Sequence, residues 1–266
     1  MTTARLTKHH ALGNDFLVLA ADQTAGPDEA RAWCDRRRGV GADGLLVHGP
    51  AVPDADATMV LYNADGSRAE MSGNGIRCFA HAVAAASGIT TGRLVIATDA
   101  GRRTVELWPT DDPATIGASV SMGSARPIAP PPAWDALGCD PLRPVAHLSL
   151  GNPHSVVAVD DVHAVDLAAL GAGVPDVNLE IVQAGPTRDA VTMRVHERGA
   201  GITRACGTGA CATAIAAAGW GLVDRDVAEI TVHMDGGSAK VRLDTPPGEV
   251  TLVGPATFVA AVEIIR

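Results

Sequence analysis

The stretches Glu70-Met71-Ser72-Gly73-Asn74-Gly75 and Arg204-Ala205-Cys206-Gly207-Thr208-Gly209 read as two copies of one turn. Each presents a hydroxyl or thiol, then a Gly-x-Gly, and then runs into an alanine-rich apolar segment of helical character. Sliding the chain by 134 residues superimposes Ser72 on Cys206, Gly73 on Gly207 and Gly75 on Gly209. The same shift lays Thr58-Met59 on Thr192-Met193 without a gap. Matching features continue outward. Ala57–Tyr62 and Val191–His196 precede the turns as strand-like runs, and a β-hairpin pattern follows each helix. The hairpins are Leu94–Thr98 with Thr104–Leu107 around Asp99–Gly101, and Glu229–Met234 with Lys240–Leu243 around Asp235–Gly237. Near each start a Gly-Asn pair, Gly13-Asn14 and Gly151-Asn152, opens a strand.

That order of features predicts a duplication. The expected fold is α+β, with two pseudo-symmetric domains and an active-site cleft between them. Each domain is a curved, mostly antiparallel sheet around a central helix. The Pro-rich segment Arg126–Pro132 divides the halves into 1–125 and 126–255, and a last strand at 256–266 returns to the first half. Aromatic residues are only 3%, so the cores must come from Val, Ile, Leu and Ala.

Composition narrows the function. The chain has 266 residues, 47% of them apolar, enough for a sizeable core. A formal net charge of −9 speaks against nucleic acid as a partner. The first residues lack the apolar core of a signal peptide, and no run approaches the roughly 18 apolar residues of a spanning helix, so no membrane is expected. Five cysteines without an export signal suit reduced thiols in a cytoplasm. Neither CxxC nor a Cys/His zinc spacing occurs, so no metal is expected.

The turns themselves suggest chemistry. A helix start exposes unpaired N–H groups and partial positive charge, and glycines let a ligand reach them. Gly73-Asn74-Gly75 and Gly207-Thr208-Gly209 are therefore candidate cradles for a carboxylate or phosphate. A cysteine at such a start is expected to have a lowered pKa, which marks Cys206 as reactive. Gly207–Ala212 and Gly39–Gly44 also match dinucleotide patterns. Both are weak: the second follows a helical run (Glu29–Arg38) and precedes a strand (Leu45–His48), the reverse of the required order, and the first lacks a following parallel strand ending in an acidic residue. Two acid/base groups on facing helix starts suit a 1,1-proton transfer that inverts a stereocentre, with the N–H groups stabilising enolate charge. A pyridoxal mechanism wants a Schiff-base lysine, and neither Lys8 nor Lys240 lies in a motif-like context, so no cofactor is expected.

The chain resembles the diaminopimelate epimerase family nearly end to end. The resemblance is carried by Gly13-Asn14-Asp15-Phe16, Arg38–Gly44, Asn63–Ser67, Gly73–Cys78, Gly151-Asn152-Pro153-His154, Asn178, Glu197-Arg198-Gly199 and Ala205–Cys211. It implies a cofactor-independent epimerase of lysine and cell-wall precursor synthesis, usually a homodimer, acting on a small amino-acid substrate. Cys206 would be one catalytic acid/base, tuned with its counterpart by His154 and Glu197. Gly73, Asn74, Gly207 and Thr208 would hold the carboxylate of the reacting centre. Asn14, Asn63, Asn152, Asn178, Glu197 and Arg198 would bind the rest of the substrate. Taken singly, Asn14, Asn63 and Asn152 read as ordinary turn residues.

One departure matters. The family's usual cysteine is Ser72 here, and a serine hydroxyl is a very weak acid without an adjacent base. Cys78, six residues on, lies roughly 9 Å along the helix and is no substitute. Three accounts of Ser72 stay open: an introduced change that traps an inactive enzyme, a natural serine working poorly or through a neighbour, and drift to another reaction. The alternatives to the epimerase are a related racemase or dehydratase, for example on a hydroxyproline, and a non-catalytic amino-acid binding protein.

Overall fold

The computed structural model describes residues 3–224, 226–244 and 249–265. The chain forms two compact units, Met1–Val120 with Gly254–Arg266, and Ser121–Val253. Of the expected returning strand, Arg266 lies outside the described residues.

The first unit holds β1 (Thr3–Ala11), β2 (Asn14–Leu19), α1 (Pro27–Cys34), β3 (Gly44–His48), β4 (Ala57–Asn63), β5 (Arg68–Ala69), α2 (Gly73–Ala86), β6 (Gly92–Thr98), β7 (Gly101–Pro109) and the start of β8 (Thr115–Ser124). The second holds the end of β8, β9 (Arg126–Pro127), a 3-10 turn at Trp134–Leu137, β10 (Val145–Ser149) and β11 (Pro153–Ala158). It continues with α3 (Leu167–Gly173), β12 (Asn178–Ala184), β13 (Ala190–Glu197), β14 (Gly201–Thr203), α4 (Gly207–Trp220), β15 (Glu229–Met234) and β16 (Gly237–Asp244). The last strand, β17 (Glu249–Ile265), begins in the second unit and ends in the first.

The duplication holds pairing by pairing. β1–β2, β3–β4, β4–β5 and β6–β7 are antiparallel, while β2–β3 and β4–β6 are parallel. In the second unit β10–β11, β12–β13, β13–β14 and β15–β16 are antiparallel, while β11–β12 and β13–β15 are parallel. Antiparallel pairs predominate, with two parallel pairs inserted at the same places in each unit. The hairpins at residues 98–101 and 234–237 close through two central residues, with Thr98 opposite Gly101 and Met234 opposite Gly237.

Helices α2 and α4 form the cores the sheets wrap around. Ser72 and Cys206 are their N-caps in near-identical extended conformations (φ −140°, ψ 122° and φ −126°, ψ 116°). Each helix is 14 residues long, and left-handed glycines, Gly88 (φ 68°) and Gly221 (φ 74°), follow their ends. Helix α4 buries Gly207–Ala214 with Ala216 and Ala217, so it is apolar all round, as a helix enclosed by strands must be. Alanine allows that close approach. On α2, Ile76 and Phe79 are fully buried, each contributing roughly 1.5–3 kcal/mol of burial.

The helical run read at Glu29–Arg38 is shorter than expected, because α1 stops at Cys34. The Asp35 carboxylate accepts the N–H groups of Arg37 (2.7 Å) and Arg38 (2.9 Å), a local turn that outcompetes another helical turn.

Candidate functional site

In the first unit, Ser72 Oγ accepts the Gly75 N–H at 3.0 Å, the bond of a helix cap. Asn74, the second residue of α2, donates from Nδ2 to Asn14 Oδ1 (3.2 Å) at the start of β2. Asn14 in turn donates to Asp43 Oδ2 at 2.7 Å. At the other end Arg77, fully buried, donates to Asn74 Oδ1 (2.8 Å) and to the Gly73 carbonyl (3.2 Å). Arg77, Asn74, Asn14 and Asp43 thus form one directed hydrogen-bond chain running past the cap. Arg36 pairs with both Asp15 and Asp43, and Lys8 with Asp15, which pins the far end. Those pairings hold the Asp15 carboxyl below its ordinary pKa against the opposing effect of burial. Asn63 ends β4 and uses its amide in the following turn, donating to Ser67 Oγ at 2.9 Å.

The second unit repeats the arrangement with different chemistry. Cys206 Sγ accepts the Gly209 N–H at 3.3 Å and lies 3.5 Å from Thr208 Oγ1. Thr208, the counterpart of Asn74, accepts from Asn152 Nδ2 at 3.2 Å, and Asn152 is the counterpart of Asn14. Asn152 Oδ1 meets His154 Nε2 at 3.0 Å, and His154 Nδ1 meets Glu180 Oε1 at 2.7 Å. Glu197, at the end of β13, interacts electrostatically with the Cys206 thiol and accepts the Thr203 hydroxyl. Asn178 binds the Pro153 carbonyl (3.2 Å) and receives the Arg198 N–H (2.9 Å), which ties the Glu197-Arg198 turn to the strand beside it. The Arg198 residue is exposed.

The electrostatics overturn one expectation. Cys206 does not have a lowered pKa. Burial pushes its thiol well up, and the carboxyls of Glu197 and Glu180 add to that. The Thr208 and Gly209 hydrogen bonds oppose the rise without winning. Burial also raises the carboxyls of Glu197 and Glu180. The helix start is real, but burial first, and then two carboxyls supplied by neighbouring strands, outweigh it.

Within the second unit Cys206, Thr208, Asn152, His154 and Glu197 come together, and within the first Ser72, Asn74 and Asn14 do. His154 reaches Cys206 through Asn152 and Thr208 rather than directly. Sequence reasoning missed Glu180, Arg77 and Asp43 as members of these networks. The signal for Glu180 was present: a lone acidic residue inside the apolar run Leu179–Val182. Lys8 is bound to Asp15 and the Gly41 carbonyl, and Lys240 to Glu229. Among the described residues no group of three or more His, Cys, Asp or Glu is placed to hold a metal ion, and no helix is long and apolar enough to cross a membrane.

Paired domains, each with a capped helix inside a wrapped mixed sheet, define the fold class that includes a hydroxyproline epimerase of Agrobacterium vitis. That structure aligns over 99% of this chain and 91% of its own, with a TM-score of 0.72 at 16% identity, a likeness of fold alone. Sequence goes further. Residues 6–128 and 147–259 match the family model described as diaminopimelate epimerase. A diaminopimelate epimerase of Magnetococcus marinus is 39% identical over 287 residues, covering 98% of this chain and 97% of that one. One from Thermosynechococcus vestitus is 40% identical, covering 95% and 96%. The chain belongs to the diaminopimelate epimerase family. Identity of this kind over nearly the whole chain does not favour the hydroxyproline-type alternative or a mere binding protein.

Proposed function

We propose that this protein interconverts LL- and meso-diaminopimelate by two-base proton transfer at the α-carbon, slowly because of Ser72. It acts without pyridoxal phosphate, in lysine and peptidoglycan precursor synthesis, as a cytoplasmic homodimer. The observation that carries this reading is the pair of matching caps: Ser72 and Cys206 share one backbone conformation at the start of twin helices.

In this reading the first N–H groups of both helices, at Gly73, Asn74, Gly207 and Thr208, receive the α-carboxylate and stabilise it as it gains enolate character. Cys206 takes the α-proton from one face. Its thiol rests protonated, because burial and two carboxyls disfavour the thiolate. Glu197, electrostatically tied to that thiol, is the local acceptor that converts it to a base. The family's second acid/base would return the proton to the other face; Ser72 holds that position of the sequence, and its hydroxyl is a poor acid. Asn14, Asn63, Asn152, Asn178, Glu197 and Arg198 supply donors and acceptors suited to the distal zwitterion, with Arg198 able to fork onto a carboxylate.

The test is incubation with each isomer in D₂O, following α-deuteration and isomer composition together. Isotope uptake from at least one isomer, abolished by Cys206→Ala, is expected. Binding of both isomers with no uptake from either would overturn the catalytic reading.

A further inference from the structure

We propose that Glu180 is a positioning residue for the Cys206 half-site, anchoring His154 at the far end of a buried donor chain that ends on the Cys206 sulfur. The proposal rests on the epimerase reading above. Glu180 and His154 are both fully buried and 2.7 Å apart. From His154 the chain runs through Asn152 (3.0 Å) and Thr208 (3.2 Å) to Sγ (3.5 Å). Its direction follows from the groups. Asn152 Oδ1 can only accept, so His154 Nε2 carries a hydrogen. The Thr208 hydroxyl accepts from Asn152, so its own hydrogen is free to point at sulfur. One proton lies between Glu180 and His154 Nδ1, and the pair polarises the donors that follow.

The duplication supplies the control. In the first unit Phe16 of β2 pairs with Gly44, and Leu46 lies two residues on and pairs with Leu61. In the second, His154 of β11 pairs with Asn178, and Glu180 lies two residues on and pairs with Val195. A Cβ built on Gly75 would meet Leu46 Cδ2 at 3.4 Å, and one built on Gly209 would meet Glu180 Oε1 at 2.6 Å. The His154–Glu180 pair therefore occupies the place of the apolar pair Phe16–Leu46. The architecture is content with phenylalanine and leucine there, and a buried ionisable pair is weak evidence for stability. Glu180 even leaves Oε2 buried with no hydrogen-bond partner among the described residues. The polar pair belongs to the unit that carries the thiol. The other titratable groups facing this network are Glu197 on β13 and Cys206 itself, both electrostatically tied to Glu180.

The experiment uses the full chain with Glu180→Gln, Glu180→Leu, and the double variant Glu180→Leu/His154→Phe that copies the sister unit. Turnover is measured in the Ser72→Cys background. Cys206 alkylation by iodoacetamide at about pH 8 is followed peptide by peptide in a mass spectrometer. In Glu180→Gln, kcat should fall about tenfold or more with KM within about threefold, while alkylation of Cys206 should quicken about threefold or more, because one carboxyl that disfavours the thiolate is gone. The double variant should melt at or above the parent temperature while its turnover stays low, an outcome that a purely structural role would not give. An alkylation rate in Glu180→Gln equal to the parent's overturns the proposal, as does a double variant with parental kcat. The alkylation arm needs no epimerase activity. Absence of turnover in the parent would therefore refute the functional reading and leave this inference to be decided by Cys206 reactivity.

Discussion

The two glycines at the third position of the twin helices should respond differently to the same added methyl. Gly→Ala in a helix gains about 1 kcal/mol of propensity. At Gly75 the atoms nearest the new Cβ would be those of the Ser72 side chain (3.1 Å to Cβ, 3.2 Å to Oγ) and Leu46 Cδ2 (3.4 Å), contacts that a shift of a few tenths of an ångström relieves. Gly75→Ala should therefore change stability by less than about 1 kcal/mol. At Gly209 the Cβ would lie 2.6 Å from Glu180 Oε1 and 3.2 Å from Cys206 Sγ. Glu180 is fully buried and bonded to His154, so it cannot swing away. Overpacking of this kind costs about 1–3 kcal/mol, leaving Gly209→Ala less stable than Gly75→Ala by roughly 1–3 kcal/mol. For a chain of this size that is on the order of 5 °C in Tm. Thermal unfolding of both variants, followed by circular dichroism, reads the difference. Equal melting temperatures would refute the claim that Glu180 is fixed behind Gly209.

Two further predictions concern buried charge in the first unit. His9 is buried against His81 and Phe258, and burial first, then the neighbouring His81 and His10, lower its pKa to about 3. The unfolded chain binds this proton near pH 6.5 and the folded one does not, so His9 makes stability fall as pH drops from about 6.5 towards 3. At about pH 5 the loss should be about 2 kcal/mol, and His9→Gln should remove it from urea unfolding curves; an unchanged pH slope would contradict the assignment. Arg77 donates to Asn74, Gly73 and the Pro255 carbonyl, so Arg77→Leu should cost about 2–4 kcal/mol by stranding those acceptors, and a calorimetric loss below about 1 kcal/mol would contradict that.

What was legible in the sequence was local or repeated. The caps could be read because Ser72 and Cys206 meet their own helix three residues on, a contact that sequence spacing determines. The duplication could be read because a shift of 134 residues aligned both caps with the strands before them. The Cys206 thiol was misjudged because the rule for helix starts is local. Burial of the thiol acts first, and then the carboxyls of Glu197 and Glu180 reach it from strands whose register only the folded sheet defines. The same holds for Glu180, which spacing cannot place behind Gly209. Asn63 shows the opposite limit: its bond to Ser67 is the turn chemistry its neighbours announce, whatever role the family resemblance assigns it. The end of α1 was overrun because Asp35 spends its side chain on the next two N–H groups.

The central claim is that one twin cap carries a competent acid/base and the other a weak one. The direct measurement compares the parent with Ser72→Cys on LL- and meso-diaminopimelate in D₂O. The caps share one geometry, so the sulfur should enter the first cap as Cys206 sits in the second, with Sγ accepting from Gly75 N–H. A competent general acid/base contributes about 10²–10⁴-fold, and Ser72→Cys should raise the interconversion rate by about that factor. Equal interconversion by the parent and by Ser72→Cys would contradict the account.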